Sequence, residues 1–394
     1  MTQFIGGNHI QLLRNGAEYF PALEVAIGQA QAFIFIQTYI YAQDAVGISI
    51  GNALITAARR GVATHLLLDG FGSKELAPSF VQMLEESGVQ VMFYRPKISP
   101  WTFKKNRLRR LHHKVAVIDG KVGFVGGINI IDDFDIPNPA PNNVPPRIDY
   151  AVRVEGKLLS HLNKSVQKLW RRMAWLRMRA ENGFGQRTIM PHTQAPTAKY
   201  KKGGIQAAFV LRDNVLHRRD IEEAYLAAIA HAHSEIIIAN AYFVPGRKFR
   251  KALLAAAQRG VHVKLLLQGR LEYYLMFATH AFYSELLNGG IEVYEYRKSF
   301  MHSKVAVIDS FWATVGSSNI DPFSLLLSRE ANIIVQDHQF ASTLRADVLA
   351  TIENDAIVIP PQAWARGNIF KRFFSWIVYG LVRVFLGVIG HAEQ

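Results

Sequence analysis

An internal repeat is the feature of this chain that most constrains its fold. Segments 51–69 and 251–268 both consist of an Ala-rich stretch, the turn Arg-Gly-Val and a Leu-Leu-Leu run. Each is preceded by an apolar run and followed by a Gly-led alternating stretch, at 88–95 in the first half and 290–297 in the second. Helices that alternate with apolar strands predict α/β layering in each half. The repetition therefore predicts two tandem α/β/α domains related by pseudo-two-fold symmetry.

The chain is long enough for this division. Its 394 residues predict two or three domains at about 150 residues each. We assign residues 1–180 to the first domain and 205–360 to the second. The stretch 181–204 is rich in Gly, Pro, Thr, Gln and Lys without apolar periodicity, which predicts a linker. Residues 361–394 then form an amphipathic tail.

Each half carries one copy of a polar motif. The pattern HxKxxxxD followed by GxxN occurs at His112, Lys114, Asp119 and Asn129 in the first half and at His302, Lys304, Asp309 and Asn319 in the second. The copies are offset by 190 residues at both their His and their Asn. The spacing selects His112 over His113, because only His112 stands two residues before a Lys. Two intact copies with one spacing are too specific for a chance match.

The residues of the motif indicate phosphodiester chemistry. The apolar, β-branched sequence after each Lys predicts a strand, so that His and Lys share a face. The Asp lies on the other face near the strand end, which favours a structural, hydrogen-bonding role. If the halves pack symmetrically, both His–Lys pairs and both Asn residues converge on one pocket. One imidazole can then attack phosphorus while the other protonates the leaving alkoxide, and Lys and Asn hold the phosphoryl oxygens. We expect no metal and no other cofactor.

A carboxylate usually orients a nucleophilic imidazole, and the repeat offers two candidates. Asp149 and Glu330 each open an apolar strand, 37 residues after His112 and 28 residues after His302. We assign Asp149 to His112 and Glu330 to His302. The two spacings differ by nine residues, so the alternative is that both are ordinary acids at strand starts.

The paired motifs resemble those of the phospholipase D superfamily. The stretches Gly316-Ser-Ser-Asn-Ile-Asp-Pro322 and Ser328-Arg-Glu-Ala-Asn332 resemble its bacterial cardiolipin synthases of the type without an N-terminal transmembrane hairpin. The resemblance implies two phospholipase D-like domains that pass a phosphatidyl group, through a phosphohistidine, from one phosphatidylglycerol to the glycerol hydroxyl of another. It implies as active-site residues His112, Lys114, Asp119, His302, Lys304 and Asp309. The chain departs from the family at Ser328, where these synthases often carry Asn.

Three other functions compete with this interpretation. A phospholipase D would resolve the same phosphohistidine with water and release phosphatidic acid. A nuclease of the same superfamily would use the motif on nucleic acid, which the aromatic tail and the Gly-Ser-Ser-Asn-Ile-Asp-Pro stretch oppose. A membrane-binding scaffold would need no intact motif, whereas both copies here are intact.

The composition predicts an anionic partner. Lys and Arg number 45 against 31 Asp and Glu, a formal charge of +14, and there is no Cys. The missing Cys excludes thiolate metal sites and a Cys nucleophile. We expect phosphatidylglycerol as the phospholipid substrate and an anionic membrane surface as partner, and no nucleic acid. The sequence carries no signal for an oligomeric state.

Basic residues cluster in three candidate membrane contacts. The loop before His112 contains Lys97, Lys104, Lys105, Arg107, Arg109 and Arg110 with Trp101 and Phe103, a composition typical of headgroup contact. The helix-like segment 164–179 and the tail stripe of Arg372 and Arg383 are the other two. A solvated loop, a surface helix and a terminal helix docked on the core are the respective alternatives.

Localisation and two smaller features complete the sequence interpretation. No signal peptide and no apolar run of about 18 residues is evident, so we expect a peripheral protein on the cytoplasmic face of the bacterial cell membrane. The aromatic stretch 273–283 either packs in the core or lines an acyl groove. Asp132, Asp133 and Asp135 suggest a metal site only weakly, and we interpret them as a solvated loop.

Overall fold

The computed structural model describes residues 2–96, 109–136, 144–180, 204–214, 216–270, 274–366, 377–378 and 380. In the first half the strands are β1 (Ile5–Arg14), β2 (Phe33–Thr38), β3 (Ala63–Asp69), β4 (Gln90–Tyr94), β5 (Lys114–Ile118), β6 (Val122–Gly126) and β7 (Tyr150–Gly156). In the second half they are β8 (Ile205–Arg212), β9 (Glu235–Asn240), β10 (His262–Gln268), β11 (Glu292–Tyr296), β12 (Lys304–Ile308), β13 (Trp312–Gly316), β14 (Glu330–Gln336) and β15 (Ala356–Val358).

The strands of the described residues form one mixed sheet in the order β15-β11-β10-β9-β12-β13-β14-β8-β1-β7-β6-β5-β2-β3-β4. Apart from β15, each half repeats the same order outward from the β8–β1 junction. Within each half three consecutive strands, β2 to β4 and β9 to β11, are parallel. The central strands β2, β3 and β9 are almost wholly buried, which explains their apolar runs. The predicted pair of α/β halves with pseudo-two-fold symmetry is therefore confirmed.

Helices cover both faces of each half-sheet. The first half contains α1 (Asn15–Gly28), α2 (Ala45–Arg59), α3 (Pro78–Glu86) and α4 (Leu159–Ala180). The second contains α5 (Asp220–Ala230), α6 (Arg247–Gln258), α7 (Tyr274–His280), α8 (Tyr283–Asn288), α9 (Pro322–Leu326), α10 (His338–Asp355) and α11 (Pro361–Arg366). Helices α1 to α3 and α5, α6 and α8 pack on the outer faces, and α4 and α10 pack on the inner ones.

The two halves share a hydrophobic core. Val125 and Val152 of the first half and Val315 and Ile333 of the second belong to a single buried cluster, which α4 and α10 complete. The half-sheets therefore face each other, and the sheet folds over at the short, irregular β1–β8 pairing. This shared core fixes how the halves meet. Of the predicted linker, only Gly204 lies within the described residues.

The described part of the predicted tail lies on the second half. Trp364 of α11 packs with its ring centroid 4.9 Å from that of Tyr283 and 5.4 Å from that of His280. Val378 is buried in the same core. At these positions the chain docks on the protein, as the alternative interpretation of the tail expects, and Arg372 and Arg383 lie outside the described residues.

Each half-sheet has two functionally different edges. We call the edge where β5 and β12 begin the histidine edge, and the opposite one the aspartate edge. At the aspartate edge, Asp119 accepts hydrogen bonds of 2.8–2.9 Å from the backbone N–H groups of residues 31–33. Asp309 accepts equivalent bonds of 2.8–3.0 Å from residues 233–235. The structural role predicted from strand parity is confirmed.

The same geometry corrects the active-site set implied by the resemblance. Asp119 and Asp309 lie beyond the ends of β5 and β12, a full strand length from the histidines that precede those strands. They anchor the starts of β2 and β9, so the structure excludes them from direct contact with the reacting groups.

We predict that Asp119→Ala and Asp309→Ala lower the free energy of unfolding by about 3 kcal/mol, because three backbone donors lose their acceptor. Burial raises the pKa of Asp309, but the surrounding donors outweigh it and hold that pKa below its ordinary value. Its stabilising contribution is therefore present above the unfolded-state pKa and is lost as the pH falls through the folded-state pKa. Urea denaturation at several pH values measures both effects.

Asp337→Ala is the matched control, because among the described residues the Asp337 carboxylate accepts one hydrogen bond, the N-cap bond from the Phe340 N–H, at 2.8 Å. We expect a loss of about 1 kcal/mol from this variant. An Asp309→Ala protein of unchanged stability and no activity would contradict the structural assignment.

Candidate active site

Two short parallel pairings join the halves at the histidine edge. The N–H of His112 donates to the carbonyl oxygen of Arg329 at 3.0 Å, and the N–H of His302 donates to that of Ile148 at 2.8 Å. Isolated bridges pair Leu111 with Arg329 and Ile148 with Met301. Each motif histidine is thus held beside the residue that precedes the candidate carboxylate of the opposite half.

Each motif histidine is consequently paired with the carboxylate of the opposite half. His112 Nδ1 lies 3.0 Å and 3.1 Å from the two carboxylate oxygens of Glu330, and His302 Nδ1 lies 2.6 Å from Asp149 Oδ2. The predicted pairs, Asp149 with His112 and Glu330 with His302, are therefore wrong, although the four residues are the right ones. The prediction assumed that each half supplies its own carboxylate, whereas the parallel bridges exchange them.

The turn after the neighbouring strand explains why one carboxylate is Asp and the other is Glu. A Cβ on Gly127 would come within 2.2 Å of Asp149 Oδ1, so only glycine fits beside this short carboxylate. At the equivalent place in the second half, Ser317 Oγ donates to Glu330 Oε2 at 2.5 Å. The longer side chain is held by a hydroxyl, and the shorter one packs against bare backbone.

Two buried ammonium groups accompany the imidazoles. Lys114 Nζ donates to the carbonyl oxygen of His112 at 2.6 Å, and Lys304 makes the same bond with His302. Burial lowers the pKa of Lys114 to about 7, and the charge of Lys304 contributes. Burial also lowers the pKa of Lys304 to about 8. An anion bound between the two would raise both pKa values, so the site is prepared for a phosphate group.

The same burial keeps the imidazoles neutral. It lowers the pKa of both His112 and His302, and the lysine charges lower them further. Because Nδ1 of each ring faces a carboxylate, Nε2 is the nitrogen left for chemistry. The ring of Tyr39 lies 4.8 Å from that of His112, and Phe300 stacks on His302 at 5.9 Å. Each imidazole therefore has a charged partner and an aromatic neighbour.

The two motif asparagines are buried in loops at the histidine edge. The side-chain oxygen of Asn129 accepts from the N–H of Ile40 at 3.0 Å. That of Asn319 has no hydrogen-bond partner among the described residues. Contact of these amides with a bound phosphoryl group stays a prediction. Sequence reasoning missed Tyr39 and Ser317, although the repeat alignment contained both.

The structure decides several smaller expectations. Phe282 and Tyr283 are fully buried in the second-half core, which confirms the core interpretation at those two positions, and Tyr273 lies outside the described residues. Asp133 is buried and accepts from the N–H of Gly16 at 2.6 Å, so the solvated loop is wrong for this residue. Within the described ranges, no group of three or more His, Asp or Glu could hold a metal ion. The basic loop at 97–108 lies outside them.

Comparison with known proteins agrees with this geometry. The family model described as "Cardiolipin synthase, PLD-like domain" matches residues 23–133 and 225–351. "Cardiolipin synthase B" of Salmonella typhimurium is 40% identical, covering 98% of this chain and 90% of its own length. The protein of that name from Escherichia coli K12 is 38% identical over the same shares. A solved structure of phosphatidylserine synthase from Haemophilus influenzae superposes with a TM-score of 0.66 at 13% identity, covering 96% of this chain and 93% of that one, which is a likeness of fold.

We predict that Glu330→Gln reduces turnover about a hundredfold, because the neutral amide no longer fixes the imidazole tautomer and charge. NMR of 15N-labelled histidine rings should show the change at His112 and little at His302. Asp149→Asn should give the reverse pattern. Glu285→Gln, at the surface, is the control, and a Glu330→Gln change confined to His302 would refute the crossed arrangement.

Proposed function

The chain belongs to the cardiolipin synthases of the phospholipase D superfamily, which are phosphatidyltransferases, and we propose that it joins two phosphatidylglycerol molecules into cardiolipin and glycerol. The observation that carries this proposal is the pair of imidazoles, each backed by a buried carboxylate of the other half and flanked by two buried lysines. Such a site has two proton-transfer groups and cations for one phosphodiester.

The first step forms a covalent intermediate. Nε2 of His112 attacks the phosphorus of the donor lipid, and the bond from phosphorus to the headgroup glycerol oxygen breaks. The anionic phosphodiester raises the pKa of His302, which takes up a proton from solvent and then gives it from Nε2 to that oxygen as glycerol leaves. Lys114 and Lys304 neutralise the non-bridging oxygens, and Glu330 stabilises the positive charge on the phosphorylated ring. His112 is chosen as nucleophile from the family resemblance.

In the second step a different alcohol attacks, and the bond changes of the first step occur in reverse. A glycerol hydroxyl of the acceptor phosphatidylglycerol attacks phosphorus, its proton passes to Nε2 of His302, and the bond from phosphorus to His112 breaks. Asp149, 2.6 Å from His302 Nδ1, stabilises the imidazolium that forms. Cardiolipin leaves, and both imidazoles return to their starting states.

We predict that the protein converts vesicles of labelled phosphatidylglycerol into cardiolipin and free glycerol. His112→Ala and His302→Ala should each abolish this conversion, since each ring is needed in both steps. Acid-quenched peptide mapping should locate a phosphohistidine at position 112. EDTA should leave turnover unchanged. Phosphatidic acid as the main product would indicate a hydrolase, and full activity in either variant would refute the two-histidine scheme.

We also propose that the protein binds an anionic bilayer at its surface. Across the described residues, no helix is long and apolar enough to cross a membrane. The 22 residues of α4 extend about 33 Å, roughly 10 Å more than the seven-residue strand β7 beside it. The helix begins near the aspartate edge, where Leu159 and Leu162 lie close to Gly123, and we infer that its last turns project from the sheet at the other end. Which face of the membrane it meets stays a prediction.

The projecting turns have the composition of an interfacial anchor. Trp170 and Ala174 are buried, whereas Trp175, Leu176 and Met178 are 52%, 43% and 43% exposed. The guanidinium of Arg179 lies 5.4 Å from the Trp175 ring centroid. The second half of the helix also carries Arg171, Arg172 and Arg177. Exposed apolar groups among arginines fit a surface of anionic headgroups.

The helix tip also lies next to the site. Burial lowers the pKa of Arg329, and the charge of Arg172 on α4 lowers it further. Arg329 directly precedes Glu330, the partner of His112. A bilayer that received the α4 tip would therefore lie against the histidine edge, where lipid headgroups must enter.

We predict that Trp175→Glu reduces the fraction of protein sedimenting with phosphatidylglycerol vesicles by about tenfold, through loss of apolar insertion and added repulsion. Binding of the unaltered protein should weaken as salt rises. Val25→Glu is the control, since Val25 is 59% exposed in the last turn of α1, away from the end of α4. Activity on lipid dispersed in detergent should survive in both variants, and unchanged sedimentation of Trp175→Glu would refute this surface.

A further inference from the structure

Arg147 is a buried cation that has no role in the two-histidine mechanism. The residue is 7% exposed. One guanidinium nitrogen donates to the carbonyl oxygen of Asp135, while Nε has no hydrogen-bond partner among the described residues. Guanidinium has five N–H donors, and among the described residues the Nε–H of Arg147 is one that has no acceptor. Burying such a group without a matched anion is costly, which indicates a charged ligand in its working state.

The surroundings place Arg147 on the His302 side of the site. Its guanidinium carbon lies 6.0 Å from the ring centroid of Phe300, and this ring stacks on His302 at 5.9 Å with an interplanar angle of 24°. Burial lowers the pKa of His302, and so do the charges of Lys304 and Lys114. The charge of Arg147 lowers it further by a smaller amount. Arg147 is thus one aromatic ring away from the imidazole that handles the leaving and entering alcohols.

Nearby carboxylates are committed elsewhere. Asp149 is bonded to His302, and Asp133 accepts from the backbone N–H of Gly16. In the part of the chain that the structure describes, neither forms an ion pair with Arg147 within 4.0 Å. The guanidinium therefore keeps a net positive charge that a second anion can use.

This cation has no counterpart at the equivalent position of the other half. Arg147 stands two residues before Asp149, and the residue two before Glu330 is Ser328. The two histidines, the two lysines and the two carboxylates of the site come in equivalent pairs, whereas Arg147 has no such partner. The proposed reaction has a matching asymmetry, because the acceptor lipid brings a phosphodiester of its own, whereas water or free glycerol brings none.

We propose that Arg147 binds the phosphodiester of the acceptor phospholipid and so selects a phosphorylated alcohol as acceptor. This inference rests on the proposed function, in which His302 takes the proton of the attacking hydroxyl. The acceptor headgroup must then lie on the His302 side, and its phosphate is attached through the same glycerol. A guanidinium one ring away from His302 is placed to pair with that phosphate through charge-assisted hydrogen bonds.

The test is Arg147→Gln, which removes the charge and keeps an amide donor near the position of the guanidinium Nε. Purified protein acts on phosphatidylglycerol vesicles in the presence of labelled free glycerol, so that cardiolipin formation competes with glycerol exchange and with hydrolysis to phosphatidic acid. Donor and acceptor are the same lipid, so the partition among these products reports the acceptor step, and loss of one charge-assisted contact should change it by about 10- to 100-fold. The ratio of cardiolipin to exchanged glycerol and phosphatidic acid should fall by the same factor.

Two further variants separate this role from a structural one. Arg147→Lys keeps the charge and should restore much of the ratio. Ser328→Ala, at the equivalent position of the other half, should leave it unchanged. An unaltered ratio in Arg147→Gln would overturn the proposal, as would an equal loss of all three products with loss of the phosphohistidine, since Arg147 would then act on the donor or on folding. No phosphohistidine and no product in the unaltered protein would instead refute the proposed function.

Discussion

The site depends on two backbone pairings between the halves, Leu111 with Arg329 and Ile148 with Met301. They place Glu330 beside His112 and Asp149 beside His302, with both carboxylates 1% exposed or less. A buried carboxylate without a partner costs several kcal/mol, and the imidazole partner of each of these carboxylates comes from the other half. Folding and assembly of the site are therefore one event, and the shared hydrophobic core supplies the free energy that brings the halves together.

Duplication produced two similar imidazoles, and local differences make them inequivalent. Asp69, at the end of β3, accepts from the N–H of Leu111 at 2.8 Å and so fixes the segment that leads into His112. Its counterpart at the end of β10 is Gln268, a buried amide without hydrogen-bond partners among the described residues. The carboxylate of Glu330 is shared with Ser317, whereas that of Asp149 packs against Gly127. A reaction in which one ring is phosphorylated and the other carries a proton needs such inequivalence.

The sequence was sufficient for everything that repeats locally. Strand parity separated Asp119 from His112, and the motif spacing separated His112 from His113, which lies 2.7 Å from the amide oxygen of Gln37 instead of in the site. The exchange of carboxylates between the halves could not be predicted, because no local sequence pattern shows which carboxylate contacts which histidine across the shared core. Arg147 was missed for the same reason: its place beside Phe300 arises from contact between halves, and its lack of a counterpart at Ser328 hid it from the repeat alignment.

The balance of charge at the site links substrate binding to protons. Burial lowers the pKa of both Lys114 and Lys304. The charge of Lys304 lowers the pKa of Lys114 further, and the charge of Arg147 does the same for Lys304. At neutral pH the empty site therefore holds less positive charge than its composition suggests, which reduces repulsion in the folded protein. A phosphodiester that enters raises the pKa of both lysines, and the site takes up protons as it binds. The lysines thus gain charge when an anion is present to use it, which suits a reaction in which negative charge on phosphorus oxygens must be held twice in succession.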